Sequence, residues 1–353
     1  MSAISPGLAS LGWDSDFENR FRRIAEAGDI PARVVADYGT ELLVHDGTAL
    51  SRATTGRRYR DSEVPAPAVG DWVALRRRAA SDLIAAIVDR RTAISRKVPY
   101  IDARQQMLAA NVDIVFVVAA ATDVNSRRVE RCLVIAWQSG ASPIVVLTKA
   151  DVAEAPDELL RQLESVSLGT PVLVTSAVSG QGLDEIRGRL QPARTAVLLG
   201  PSGAGKSTLI NRITGMELMK TRDIHRSGEG RHMTSHRQLV QLPEGGMIID
   251  TPGLREAQLW EGEEALGDVF EDIERLILEC RFPDCSHQSE PGCAVKAAVA
   301  QGSLDATRLQ SYRKLQRELR SLAARSDARL RADERRKWKQ IAMANRAKGR
   351  YLR

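Results

Sequence analysis

The 353-residue chain has few cysteines and no long hydrophobic run. Its four cysteines, three of them clustered, favour metal binding in a reducing compartment over a disulfide framework. No apolar stretch is long enough to span a membrane, and residues 1–17 lack the apolar core of a signal peptide. We also find no internal repeat. These absences predict a cytoplasmic protein with no membrane partner. Its length and 43% hydrophobic content predict two or three domains with ordinary cores.

Net positive charge is confined to the C-terminal segment. The net charge is +6, but residues 305–353 contain 16 Lys/Arg and 5 Asp/Glu, a net charge of +11 that leaves −5 for the remainder. Trp338 and Ile341 stand among Arg335, Arg336 and Lys337. A merely solvated helix is one interpretation of this pattern. Aromatic and arginine side chains together also suit stacking on RNA and neutralising its phosphates.

A glycine-rich segment lies between the apolar run 195–199 and a stretch of helical spacing. Its residues match G-x-x-x-x-G-K-[ST]: Gly200, Pro201, Ser202, Gly203, Ala204, Gly205, Lys206, Ser207 and Thr208. Such a turn aims several backbone N–H groups at one point, where the helix dipole also favours anions. Lys206 would reach the outer phosphates of a nucleotide, and the Ser207 hydroxyl would bind Mg²⁺. An ordinary Gly/Ser loop is the alternative.

Two further strand ends indicate which base is bound. The run 143–146 leads into Thr148, Lys149, Ala150 and Asp151, and the run 171–175 leads into Ser176 and Ala177. A carboxylate at Asp151 can accept two parallel N–H bonds from the guanine edge, whereas adenine would leave it unpaired. The Ser176–Ala177 backbone would contact the guanine oxygen. Each motif alone is a common turn, but their combination with a phosphate loop predicts a GTP site.

The remaining nucleotide elements follow the phosphate loop. Asp250 and Gly253 belong to Asp-Thr-Pro-Gly after the strand 247–249, and Thr234 lies in a preceding polar loop. Asp250 would hold Mg²⁺, and the Gly253 N–H would contact the terminal phosphate. The base-reading motifs thus precede the phosphate loop, which reverses the usual order. A sheet is defined by strand pairing rather than chain order, so the sequence predicts a circularly permuted GTPase domain.

The flanking regions have different patterns. Short strand candidates at 32–36, 41–45, 71–75 and 83–88 predict a five-stranded barrel of OB type. Residues 90–100 read as a charged connector, followed by a buried strand at 112–119 and a helix at 126–137 with Cys132 in the core. Residues 266–278 predict one amphipathic helix, and apolar residues at helical spacing begin another near 304.

A Cys/His cluster occupies one loop near the C-terminus. Its four candidate ligands are Cys280, Cys285, His287 and Cys293. Three thiolates and one imidazole complete a tetrahedral, closed structural Zn²⁺ site, with no position left for a substrate.

The order of these motifs resembles the RsgA (YjeQ/EngC) family of circularly permuted GTPases that depend on the small ribosomal subunit. The resemblance extends over nearly the whole chain, including residues 122–125 and 230–232. It implies an α/β circularly permuted P-loop GTPase domain at 95–260, an OB-type barrel within 1–94, and a zinc-binding, largely helical domain at 261–353. It also implies a monomer that binds GTP or GDP and the rRNA of the small subunit, with rRNA contacts from the barrel loop 57–60.

The resemblance places the catalytic groups in the polar loop 221–235. The family pattern there is usually Gly-Arg-His-Thr-Thr-Thr, and of the three threonines only Thr234 matches. Thr234 is therefore assigned the contact to Mg²⁺ or the terminal phosphate. Leu254 stands where many GTPases have a glutamine that orients water, and it cannot perform that role. His232 is the natural replacement, although a structural histidine is the alternative.

Two other functions compete with this interpretation. A P-loop kinase or ATPase would also carry the phosphate loop, but Asp151 and Ser176–Ala177 argue against it. An RNA-binding protein with a vestigial nucleotide site would not need complete phosphate and Mg²⁺ positions. Comparing GTP with ATP binding, and turnover with and without small subunits, distinguishes them.

Overall fold

A computed structural model describes most of the chain. The residues described are 4–56, 59, 65–79, 81–97, 105–167, 169–215, 237–250, 264–283, 285–287 and 290–320. The strands are β1 Ile30–Asp37, β2 Leu42–His45, β3 Leu50–Thr55, β4 Trp72–Arg76, β5 Asp82–Ile87, β6 Ala93–Lys97, β7 Gln105–Ala110, β8 Ile114–Ala120, β9 Ser142–Thr148, β10 Val172–Val174, β11 Thr195–Leu199, β12 Arg237–Gln241 and β13 Met247–Asp250. The helices are α1 Pro6–Ser10, α2 Ser15–Arg22, α3 Ser126–Gln138, α4 Pro156–Val166, α5 Leu183–Arg189, α6 Lys206–Thr214, α7 Glu264–Val269, α8 Glu271–Leu278, α9 Ala294–Ala300 and α10 306–320. Within these ranges, no helix is both long and apolar enough to cross a membrane.

The first five strands close into a barrel. β1 pairs with β2, β2 with β3, β3 with β5 and β5 with β4, and β4 returns to β1. Side chains from alternate positions fill its interior, with Val34, Val44 and Ile84 fully buried. The predicted OB-type barrel is confirmed. The sequence pattern missed β3, because Leu50 and Arg52 are exposed and its apolar alternation is weak.

The central sheet has the strand order β10-β9-β8-β11-β13-β12. Its first five strands are parallel, and β12 runs antiparallel to β13. Every residue of β8 is buried, as expected for a strand covered on both faces. Phe116 and Leu198 face the side covered by α5 and α6, whereas Val117 faces α3. The structure confirms the predicted α/β architecture and the helix at α3, with Cys132 in its buried face.

The barrel and the central sheet are continuous. β1 pairs with β12 through Ala36–Gln238 and Asp37–Arg237, so one eleven-stranded sheet contains both. The barrel is therefore hydrogen-bonded to the strand that immediately follows the predicted threonine loop. Main-chain hydrogen bonds thus link the barrel to this side of the nucleotide domain.

A buried arginine reinforces this junction. Arg33 of β1 is only 2% exposed. Its guanidinium donates to the carbonyls of Leu11, Gly70 and Asn111, and to Thr195 Oγ1 at 2.9 Å. Burial lowers the pKa of Arg33 to about 10, so the group stays charged at neutral pH. One side chain thus ties the N-terminal helices and the barrel to the start of β11, the strand that leads into the phosphate loop.

The C-terminal helices pack on α3 rather than standing apart. Phe270 and Tyr312 stack edge to face at 5.5 Å and share a core cluster with Leu133 of α3. Arg308 of α10 is 5% exposed and pairs with Asp272 at 2.8 Å and with the buried Glu130 of α3 at 3.3 Å. Burial raises the pKa of Glu130. The central and C-terminal regions therefore share one core and one buried ion-pair network.

Two local predictions were wrong. Residues 90–100, read as a charged connector, contain β6, which forms a hairpin sheet with β7. The predicted single helix at 266–278 is divided into α7 and α8 at Phe270, whose backbone adopts φ −118° and ψ 37°. The break lets the fully buried Phe270 ring enter the core shared with Tyr312. Hydrophobic periodicity does not register a one-residue interruption of this kind.

Candidate nucleotide-binding site and metal cluster

The motif residues meet at one edge of the central sheet. β8, β9, β10, β11 and β13 are parallel neighbours, so their carboxyl ends lie together. Thr148 ends β9, Ser176 follows β10, Gly200 follows β11 and Asp250 ends β13. Open α/β sheets bind ligands at this edge. The fold therefore brings together base-reading and phosphate-binding elements that are distant in sequence.

The phosphate loop has the backbone geometry that its sequence predicts. Gly205 adopts φ 84° and is the N-cap of α6, a left-handed conformation that favours glycine. Gly200 lies so close to β8 that a Cβ atom would stand 2.4 Å from the Val118 carbonyl oxygen. Ser202 and Gly203, at the tip of the loop, are exposed. The loop thus presents an accessible, N–H-rich turn at the start of a helix, which suits a phosphate.

Lys206 lies over this loop. Its Nζ donates to the carbonyl oxygens of Gly200 at 2.7 Å and Pro201 at 2.6 Å. These neutral acceptors hold the ammonium group at the mouth of the turn. Hydrogen bonds to anionic oxygens are stronger than hydrogen bonds to carbonyls, so a phosphate can replace them without moving the lysine stem far.

Asp151 and Ser176 are brought together, although they are 25 residues apart. The Ser176 hydroxyl donates to Asp151 Oδ1 at 2.5 Å. Lys149, in the left-handed conformation with φ 58°, turns the chain at the end of β9, and the Ala150 N–H donates to the Thr175 carbonyl at 3.1 Å. The Asp151 carboxylate is exposed and oriented by this contact. A fixed, accessible carboxylate beside a strand-end loop can accept the N–H groups of a planar base.

Thr148, for which the sequence predicts a direct cofactor contact, has its side chain hydrogen-bonded within the protein. It is buried, and its hydroxyl lies 2.7 Å from the carbonyl oxygen of Ala204 and 3.3 Å from that of Ala119. Its side chain therefore connects the base-reading motif to the phosphate loop and to the end of β8. Thr148 positions the two halves of the site relative to each other.

Replacing Thr148 with valine is expected to lower GTP and GDP affinity about tenfold, the typical effect of leaving a buried carbonyl unsatisfied. Titration of the variant with both nucleotides measures this. Thr214→Val is the matched control, because the Thr214 hydroxyl also donates to a buried carbonyl, that of Ile210 at 2.8 Å, but joins no loops of the site. Equal losses of affinity in the two variants would contradict the positioning role of Thr148.

Arg212 is a site residue that the sequence did not reveal. It lies in the last turn of α6, and its guanidinium donates to the carbonyl oxygens of Ala177 at 2.6 Å and Val178 at 3.1 Å. The helix that starts at the phosphate loop thus supports the Ser176–Ala177 loop from its other end. An isolated arginine at a helix C-terminus carries no distinctive sequence signal, so only the structure identifies this contact.

Several predicted site residues lie outside the described part of the chain. These are His232, Thr234 and Gly253. The structure describes α6 before the threonine loop, β12 after it, and Asp250, which is half-buried at the end of β13. The roles assigned to the three residues remain predictions.

The Cys/His residues form a compact cluster. One ligand atom from each of Cys280, Cys285, His287 and Cys293 lies within 4.8 Å of the others. Cys280 Sγ is 3.9 Å from Cys293 Sγ and 3.5 Å from His287 Nδ1. In a tetrahedral zinc site, bonds of about 2.3 Å to sulfur and about 2.05 Å to nitrogen place two sulfurs about 3.8 Å apart and a sulfur and a nitrogen about 3.6 Å apart. The cluster therefore fits a metal ion held by four protein ligands.

The protein environment shifts the pKa values of three of the four ligands, and not all in the same direction. Desolvation raises the pKa of Cys285 to about 11, which disfavours its thiolate. Burial alone would raise the pKa of Cys280, but the backbone N–H groups of Val295 and Ala294 donate to its sulfur and hold its pKa below the ordinary value. Burial and the nearby Arg313 lower the pKa of His287. A thiolate and a neutral imidazole are the forms that bind metals.

Comparison with known proteins agrees with this geometry. The family model of the RsgA GTPase matches residues 87–260. The small ribosomal subunit biogenesis GTPase RsgA of Opitutus terrae is 43% identical, with 97% of this chain and 98% of that protein covered. The crystal structure of YjeQ from Thermotoga maritima superposes with a TM-score of 0.64 at 26% identity, covering 82% of this chain and 98% of that one. YloQ, described as a circularly permuted GTPase, gives a TM-score of 0.61 at 23% identity, covering 84% of this chain and 96% of that one. This chain belongs to the RsgA GTPase family and is a GTP-hydrolysing enzyme.

Proposed function

We propose that this protein is an assembly factor of the small ribosomal subunit whose GTPase activity is stimulated by that subunit. One observation carries the proposal. Elements for guanine and phosphate meet at one sheet edge, tied by Thr148 to Ala204 at 2.7 Å, in a chain that matches almost the full length of a small ribosomal subunit biogenesis GTPase. The barrel, which is joined to the strand after the threonine loop, supplies a route by which RNA binding affects hydrolysis.

In the proposed complex, Asp151 accepts the N1–H and amino groups of guanine, and the Ala177 N–H donates to the guanine oxygen. The loop 200–205 and Lys206 bind the phosphates, and Ser207 and Asp250 bind the Mg²⁺ that accompanies GTP. The accessible Asp151 carboxylate and its bond from Ser176 support the base assignment. A kinase or ATPase would not need this carboxylate, because adenine offers an acceptor where guanine offers a donor.

The proposed catalytic groups are His232 and Thr234. Leu254 follows the Asp-Thr-Pro-Gly segment and cannot orient water, so a neighbouring group must do so. We assign this role to His232, and the Mg²⁺ or terminal phosphate contact to Thr234. β12 begins three residues after Thr234 and pairs with the barrel, which supports control of this loop by the barrel.

The metal of the Cys₃His cluster is proposed to be a structural Zn²⁺. Three thiolates, one imidazole and near-tetrahedral spacings are the donor set that zinc prefers. With all four positions supplied by the protein, the ion would stabilise the loop between Cys280 and Cys293 and leave no place for a substrate.

We further propose a cytoplasmic monomer that contacts rRNA through its barrel and its basic C-terminal region. The domains are taken as 1–94, 95–260 and 261–353. The net charge of +11 in residues 305–353 supports the assignment of rRNA contacts to this region.

Sedimentation with purified ribosomal subunits tests the partner. The protein loaded with a non-hydrolysable GTP analogue should sediment with small subunits and not with large subunits. Binding should weaken with salt by about 0.7–0.9 log units per phosphate contact and log unit of salt. Equal binding to both subunits, or binding that is insensitive to salt, would contradict the proposal.

The His232→Ala variant is expected to bind GTP and small subunits normally but to lose most of the acceleration that subunits cause, by about 10²-fold or more, the typical effect of removing a general base. Single-turnover hydrolysis on saturating subunits measures the rate of the chemical step. His45→Ala is a suitable control, because His45 lies in the barrel strand β2. Stimulation of His232→Ala equal to that of the wild type would exclude a catalytic role.

A further inference from the structure

A cationic groove lies between the nucleotide domain and the C-terminal helices. It has a volume of about 410 Å³ and is open to solvent between α3 and α10. The charged side chains that line it are Arg127, Arg131, Arg313, Lys314, Arg317 and Glu318. The groove is separate from the sheet edge that carries the nucleotide motifs and from the four sulfur and nitrogen atoms of the metal cluster.

The charges of the groove are unbalanced. Glu318 is the one acidic residue that lines the groove. Both of its carboxylate oxygens accept from Arg131 at 2.7 Å, so its charge is already neutralised. Four cations remain. Arg127 donates to the neutral amide of Gln310 at 3.1 Å, which orients the guanidinium without cancelling its charge. Lys314 and Arg317 are exposed. Like charges brought together in this way repel one another, and an anion in the groove would relieve that repulsion.

Arg313 connects the groove to the metal cluster. Within the described part of the chain, its Nε is buried and has no hydrogen-bond partner. Another nitrogen of the same guanidinium, Nη2, donates to the carbonyl oxygen of His287, a residue of the metal cluster. This carbonyl acceptor is neutral, so it orients the guanidinium beside the groove without cancelling its charge.

We propose that this groove binds the phosphate backbone of RNA, so that one RNA segment contacts the nucleotide domain through α3 and the metal-binding region through α10. The inference rests on the proposed function for the identity of the RNA. An extended polyanion fits better than a compact one, because Arg313, Lys314 and Arg317 follow one side of α10 and the segment from Asp305 to Arg353 continues with high positive charge. The contact explains why α3 carries arginines at positions 127 and 131 beside a C-terminal helix that is itself basic.

The test uses the full-length protein and a charge-reversed groove, Lys314→Glu together with Arg317→Glu. The matched control is Arg161→Glu together with Lys296→Glu, which changes the net charge equally at exposed positions on α4 and α9. Affinity is measured for purified small subunits and for a 12-nucleotide single-stranded RNA over a range of salt. Intrinsic GTP hydrolysis and thermal unfolding report that both variants are folded, since none of these residues is in the nucleotide site.

The groove variant should bind small subunits and the oligonucleotide at least tenfold more weakly than the control variant does. Because two phosphate contacts are lost, the slope of log affinity against log salt should become shallower by about 1.4–1.8. Equal affinities of the groove and control variants for both RNAs would overturn the groove proposal while leaving the proposed function intact. A third outcome is that the wild type binds the oligonucleotide but no subunits, and that the groove variant, unlike the control variant, no longer binds the oligonucleotide. The proposed function would then be wrong, and the groove proposal would be supported. Tripolyphosphate is titrated in parallel as a compact anion. If the groove variant lost affinity for tripolyphosphate alone, the occupant would be a small anion and the RNA assignment would be wrong.

Discussion

Replacement of Asp151 by asparagine is expected to lower GTP affinity by about 10²-fold or more and to create affinity for xanthosine triphosphate. The carboxylate accepts two N–H groups of guanine, and each such charge-assisted bond contributes about 1.5–3 kcal/mol. Asparagine retains one acceptor but places an amide donor against the guanine amino group. Xanthine carries a carbonyl there, which accepts from that amide. The specificity therefore inverts rather than merely weakening.

Calorimetric or fluorescence titration with GTP, XTP and ATP measures this change. Asp157→Asn is the matched control, because Asp157 is an exposed acid in the first turn of α4. It should leave all three affinities unchanged. Normal GTP binding by Asp151→Asn would show that the base site lies elsewhere, and a gain for ATP instead of XTP would show that another group determines the base.

Removal of the metal should unfold the loop from Cys280 to Cys293 and strongly destabilise the C-terminal region, since structural zinc in small modules contributes about 10–16 kcal/mol at neutral pH. GTP binding should survive within about threefold, because every proposed nucleotide ligand lies outside this loop. The nucleotide domain should nevertheless unfold at a lower temperature. Phe270 and Tyr312 belong to the core cluster of α3, and Arg308 neutralises the buried Glu130.

Elemental analysis of the native protein should give one zinc per chain. Calorimetric unfolding before and after chelation measures the loss of stability, and GTP titration of the same samples measures how far nucleotide binding survives. Cys132→Ala is the control, because Cys132 lies in the core, where burial raises its pKa to about 11, and is outside the cluster. A native protein with almost no bound metal, or an unfolding temperature that chelation does not change, would contradict the assignment.

The sequence predicted those parts of the site that depend on local pattern. A phosphate loop requires glycines at particular backbone angles, and Gly205 at φ 84° has the angle that its place in the motif implies. The buried strand β8 was visible because both of its faces are covered. Asp151 and Ser176 could be paired in advance because parallel strands end at a common edge.

Other features that the sequence did not predict depend on distant contacts. Arg33 and Arg308 carry no sequence signal for burial, yet each is almost fully buried because tertiary structure surrounds its guanidinium with acceptors. The sequence also gave no sign that the Thr148 hydroxyl donates to the carbonyl of Ala204, 56 residues away. The pairing of β1 with β12 joins segments about 200 residues apart in sequence. No local periodicity encodes such contacts.

The most direct test of the account is the rate of GTP hydrolysis by the wild-type protein with and without purified small subunits. The protein alone should turn GTP over slowly, since Leu254 cannot orient water and His232 is proposed to act only when the subunit positions its loop. Small subunits should accelerate GTP hydrolysis by about 10²-fold or more, the range of a positioned general base. Large subunits and ATP should give no acceleration. Hydrolysis that is unchanged by small subunits, or equally stimulated by large ones, would contradict the account.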